Sequence, residues 1–144
     1  MIEQDTVRLL RECDAGVKMG TASIDDVLDF VHSEELRSHL THAKKEHNAL
    51  GEEIEGALHR FRDEGKEPNP IAKGMSWMKT NVMLKMHESD GTIAALMTDG
   101  CDMGVKSLSR YLNEYKAADE SAKDIAKRLI RIEETLGQQM RGYL

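Results

Sequence analysis

The feature that most constrains this chain is an apolar repeat of alternating three and four residues that runs through nearly all of it. Leu10, Cys13, Val17, Gly20, Ile24, Val27 and Val31 step by 3, 4, 3, 4, 3 and 4. That spacing puts them on one side of an α-helix and fits no strand, whose faces alternate every second residue. A second stripe holds Leu36, Leu40, Ala43, His47, Leu50, Ile54, Ala57 and Phe61. A third holds Ala94, Met97, Cys101, Val105, Leu108, Leu112 and Tyr115, and a fourth Ala122, Ile125, Leu129, Ile132, Leu136 and Tyr143. Between the second and third lies Asp63-Glu64-Gly65-Lys66-Glu67-Pro68-Asn69-Pro70, the clearest break in the chain and the only place where proline occurs. Beyond it Ile71, Met75, Met78 and Val82 mark a shorter helix.

These stripes predict helices over about 4–31, 34–63, 71–87, 91–115 and 119–142 of one domain spanning 1–144. Ser33 and Asp90 suit N-caps, and the last helix follows Asp119. Gly20-Thr21-Ala22-Ser23 is the weak point of the first helix, because Ser23 and Asp26 could form a capping box and restart it. A seven-residue repeat favours shallow crossing angles of about 20°, and short connections favour antiparallel neighbours. The expected fold is therefore all-α: an up-and-down four-helix bundle with one additional shorter helix.

Composition narrows the function. Twenty Lys and Arg against 26 Asp and Glu leave a formal charge of −6, and aromatic residues make up 4% of the chain. Non-specific binding to nucleic acid needs clustered cations and stacking rings, so nucleic acid is not an expected partner. No apolar run approaches the roughly 18 residues of a membrane span, and the first residues lack a basic stretch followed by an apolar one. The expected location is the cytoplasm, with no membrane contact. Cys13 and Cys101 belong to no C-x-x-C element and are expected as small buried hydrophobes. Met97, Gly100, Met103 and Gly104 give the third stripe more apolar and small surface than one neighbour can use. A homo-oligomer, with a dimer favoured, is the corresponding expectation.

In a bundle, chemistry comes from side chains that face the axis. Few ionisable residues do. His47 lies in phase between Ala43 and Leu50 with Glu46 beside it, Asp14 neighbours Leu10 and Val17, and Glu133 lies between Leu129 and Leu136. Asp102 projects away from its stripe and is the weakest member of the set. Carboxylates and a histidine from different helices are the ligand types of a non-haem iron or manganese centre. Equally, a histidine on an apolar face can be a hydrogen-bonded core residue, with the carboxylates reaching water or pairing with Lys and Arg. His39, His42 and Glu46 share one helix face as well, and are expected as a solvated polar surface.

Leu36, Leu40 and Lys44-Lys45-Glu46-His47-Asn48-Ala49-Leu50 resemble the second core helix of ferritin-like, rubrerythrin-like proteins, where Glu-x-x-His binds iron. Ile132-Glu133-Glu134-Thr135-Leu136 resembles the second such motif. The order of a helix pair, a proline-marked crossing and another helix pair is similar too, as in small bacterial members of that superfamily. The resemblance implies a ferritin-like bundle and two motif sites, yet each motif has lost a ligand. Lys44 stands where the first requires glutamate, and Leu136 where the second requires histidine. The separate carboxylates of the first and third long helices fall near Ala22 or Lys18 and near Asp102 or Met103. Two divalent ions need several carboxylates to offset their charge, so the expected centre is degenerate and vacant, with no cofactor. Lys44 could then fill the space as an ion pair with Glu133.

The leading expectation is a non-enzymatic structural, interaction or regulatory module. The alternative is an iron- or manganese-binding oxidoreductase or metal-handling protein using Asp14, Glu46, His47, Glu133 and Asp102. A third is a small-ligand binder in the vacated interior.

Overall fold

The computed structural model describes residues 2–66 and 89–144. These form four helices, α1 (Ile2–Leu28), α2 (Glu34–Arg60), α3 (Asp90–Glu114) and α4 (Glu120–Arg141), and no strand occurs among the described residues. The expected short helix over 71–87, with Trp77 and Met78, lies outside the described residues.

Three side chains start helices by accepting an otherwise unpaired N–H of the first turn. Ser33 accepts from Leu36 N at 3.2 Å and Asp119 from Ala122 N at 2.8 Å, as the sequence predicts. At α3 the cap is Ser89, which accepts from Thr92 N at 3.1 Å, and not Asp90. Asp90 instead reaches over the turn between α1 and α2 and accepts from His32 N at 2.8 Å and Ser33 N at 2.9 Å.

The weak point at Gly20–Ser23 does not interrupt the first helix, and α1 is continuous to Leu28. Glycine costs a helix interior about 1 kcal/mol, but Ile24 and Val27, 0% and 1% exposed, bury on the same stripe as Leu10 and Val17 and hold the helix in line. Val31 lies beyond the end of α1, yet is still buried. Arg37 closes that end by donating to the carbonyls of Leu28 and Val31 at 3.1 and 2.8 Å. α2 stops at Arg60, earlier than predicted, with Arg62 in the left-handed region at φ 57°.

The ends of the helices establish the topology. Thr6 and Asp5 at the start of α1 accept from Asp119 N and Ala117 N in the turn between α3 and α4. Asp63, just past α2, takes Arg11 of α1 at 3.0 Å. Hence the start of α1, the end of α2, the end of α3 and the start of α4 share one end of the bundle. Asp90 brings the start of α3 to the start of α2 at the other. α1 and α2 are antiparallel, and so are α3 and α4, but α2 and α3 are parallel. The order is up-down-down-up, a correction to the simple up-and-down alternation expected from short connections. Arg60 and Asp90 lie at opposite ends, about 40 Å apart for a helix of α2's 27 residues.

Two apolar clusters fill the interior. One, towards the start of α1, gathers Leu9, Leu10, Val17, Leu50, Ile54 and Leu129 among others. The other gathers Ile24, Leu36, Leu40, Ile93, Leu136 and Met140. The register of each helix passes from one cluster to the other at a single level: Gly20 on α1, His47 on α2, Gly104 on α3 and Glu133 on α4.

Candidate functional site at the centre of the bundle

His47 is 0% and Glu133 8% exposed, and they meet between the two clusters with Nε2 to Oε1 at 2.6 Å. Each sits on its helix's apolar stripe, so forming the helices is enough to turn both inward. The other ring nitrogen, Nδ1, donates to the carbonyl of Ala43 one turn back, at 2.7 Å. A carbonyl can only accept, so Nδ1 carries a proton and Nε2 faces the carboxylate. Burial works against a charged ring. The hydrogen bond and charge of Glu133, the Ala43 carbonyl and the charge of Glu46 outweigh it, and the His47 pKa is raised above 6.5. Burial together with the negative charge of Glu133 pushes the thiol of Cys101 on α3 up.

Glycines admit this pair. A Cβ on Gly20 would stand 2.6 Å from His47 Nε2, so the imidazole lies directly on the α1 backbone. A Cβ on Gly104 would stand 3.4 Å from Glu133 Oε2. Gly20 and Gly104 therefore occupy the places facing the pair from α1 and α3, rather than Ala22, Lys18 or Met103. Sequence spacing puts Gly20 and Cys101 on their stripes but does not show what they face. A stripe position too small to fill its share of core is the available signal.

The other expected site residues lie elsewhere. Asp14, 3% exposed, is held by Lys18 Nζ at 2.9 Å and by Lys66 N at 2.9 Å, from the loop that follows α2. Gly65 there has φ 91°, and a Cβ would stand 2.4 Å from Asp14 Oδ2, so only glycine lets the loop close over it. Glu46 has a side chain 41% exposed and meets His42 at 3.4 Å on the outside of α2, and His39 likewise meets Glu35. Asp102 is exposed. Lys44 does not enter the core: it pairs with Asp25 at the surface, while Glu133 is met by His47. Leu136 is core. Cys13 and Cys101 are unlinked and buried, and burial with the neighbouring charges of Glu12 and Asp14 pushes the Cys13 thiol up to about 12.

A di-iron or di-manganese centre requires several carboxylates round a common point. Here one carboxylate and one imidazole converge, already joined to each other, and α1 and α3 offer glycine. Among the described residues, no three His, Cys, Asp or Glu side chains gather so as to hold a metal ion. The residues present do not fit the group that the ferritin-like resemblance implies. Nor do the best-formed cavities reach the pair. The larger, about 510 Å³, is an open groove between α2 and α4 lined by Glu46, Glu53, Arg128, Arg131 and Thr135 among others. Arg128 there is bound to Glu53 and to Asp124 at 2.9 Å.

No protein-family model matches this chain, and no curated protein and no solved structure matches it. Among the described residues, no helix is long and apolar enough to cross a membrane.

Proposed function

We propose that this chain is a non-enzymatic helical-bundle module, ferritin-like in layout, that acts through its outer surface in a structural, interaction or regulatory role. The observation that carries this reading is the internal closure of the polar centre. Both nitrogens of His47 are engaged, one by the Ala43 carbonyl and the other by the Glu133 carboxylate. The glycines facing the pair leave it in contact with backbone. Buried polar groups satisfied by one another specify packing and register. The ferritin-like layout is supported by the parallel α2 and α3, since a single long crossover is the arrangement of such bundles. It is supported too by the meeting of His47 and Glu133, the residues that survive from the two motifs. The outer face of α3, with Met103 67% exposed and open space beside Gly100, is where a second copy would pack to give the dimer.

The test is elemental analysis of untagged protein expressed with iron, manganese and zinc supplied, beside His47→Ala. The expected result is far less than one metal per chain and no difference between the two proteins. Near-stoichiometric metal that His47→Ala loses would overturn the reading in favour of a metal-handling protein. Light scattering during size-exclusion chromatography tests the dimer, and a monomer at high concentration would remove it.

A further inference from the structure

We propose that the groove between α2 and α4 is a contact surface for a second copy of this chain, docked about a two-fold axis that runs along the groove. The groove is open, about 510 Å³, and its rims carry opposite charge: Glu46 and Glu53 stand on α2, Arg128 and Arg131 on α4. Between the rims Ala49 is exposed and Ile132 half-buried, so the floor is apolar. Arg128 is engaged within the chain by Glu53 and Asp124. Arg131 is exposed and meets no carboxylate among the described residues, while Glu46 keeps 41% of its side chain in water beside His42. Each rim thus keeps a charge that the other rim does not answer.

α2 and α4 run antiparallel, and the contacts of Glu53 with Arg128 and of His47 with Glu133 set them level with each other. Arg131 therefore stands at a height between Glu46 and Glu53. Two rotations can lay the helix pair of a second copy along this one. With the axis across the groove, each helix covers its own counterpart, so Glu faces Glu and Arg faces Arg, and like charges in an interface oppose docking. With the axis along the groove, heights are kept and each α4 covers the α2 of the other copy. Arg131 of one copy then faces the span from Glu46 to Glu53 of the other, Ile132 comes against Ala49, and every such contact occurs twice. The paired outer faces are roughly 33 Å long, for the 22 residues of α4, and about 20 Å wide. Two copies would bury about 1,300 Å², inside the range of about 1,200–2,000 Å² found for specific complexes. The groove is built by α2 and α4 alone, so this contact is separate from one on the outer face of α3. It deepens the reading of the outer surface as the working part of the chain, and it stands whatever elemental analysis finds at the centre.

The experiment is sedimentation equilibrium of the full chain in chelator, at low and high salt. It compares the wild type, Arg131→Glu, Glu46→Arg and an equimolar mixture of the two variants. The wild type should self-associate, more weakly at high salt. Each variant alone sets like charge on like at both symmetric contacts and should raise the dissociation constant at least about tenfold. In the mixture each reversed charge faces its opposite, and the native contact completes the other side, so association should return. A merely local effect of either substitution on its own chain would not be reversed by mixing. Met103→Glu reads the α3 face separately: association that it abolishes and that Arg131→Glu leaves intact would overturn the groove contact and retain the one on α3. A wild type that stays monomeric at high concentration, or a mixture no more associated than its components, would overturn the groove contact as well. Should a charge reversal not fold, the neutral Arg131→Gln takes its place, and unchanged association in it would overturn the contact.

Discussion

Two buried carboxylates sit on apolar stripes of this bundle, Asp14 on α1 and Glu133 on α4, and the chain treats them differently. Asp14 is answered locally. Its Lys18 partner is one helical turn away on the same helix, and the Lys66 N–H comes from a loop that the left-handed Gly65 folds over it. Lys18 keeps 31% of its side chain in water, so the site is a plug between α1 and the loop that follows α2. Glu133 is answered from across the fold, by His47 of the other hairpin, with glycine from α1 and α3 clearing the space. The first arrangement secures a loop, whereas the second fixes how two hairpins face each other. A buried carboxylate by itself therefore says little about function; the origin of its partners says more.

Removing a partner should separate the two regions most sharply. His47→Ala strands the buried Glu133 charge and should cost about 3–5 kcal/mol in urea unfolding at pH 6.5. A loss under about 1 kcal/mol would mean that water reaches Glu133 and that the centre is no more integral than the Asp14 plug. Next comes Gly20→Ala, whose Cβ must displace a ring held at both nitrogens. It should cost about 2 kcal/mol net, after the helix-propensity gain of about 1 kcal/mol. Gly56→Ala on α2, with nothing within 4 Å of the new Cβ, is its control and should stabilise by about 1 kcal/mol. If both alanines stabilise, His47 does not lie on the α1 backbone. The smallest effect belongs to Asp14→Asn, about 1 kcal/mol. Its hydrogen-exchange protection should fall at the Lys66 amide while the middle of α2 stays protected. Loss of protection through α2 would erase the distinction between plug and centre.

Much of this could be read from the residues. The three-four spacing identifies the four described helices, because burial of a stripe is a local consequence of helical period. It also turns His47, Asp14 and Glu133 inward, and all three are buried. The caps Ser33 and Asp119 follow from the need of a helix start for acceptors. The misses have one origin. Gly20 looks like a helix breaker by propensity, yet becomes the floor beneath an imidazole once α2 is set against it. Lys44 looks able to replace a lost ligand, but helix rotation sends it outward to Asp25. Asp90 looks like a cap for its own helix and serves the turn of another hairpin.

By itself, then, the sequence determined the helices, their buried faces and the short list of polar groups those faces carry, since each depends on spacing within one segment. Tertiary structure decided that α3 runs parallel to α2, that His47 meets Glu133, and that glycine stands opposite them. These depend on the direction and rotation of helices joined through distant parts of the chain, and no local period encodes either.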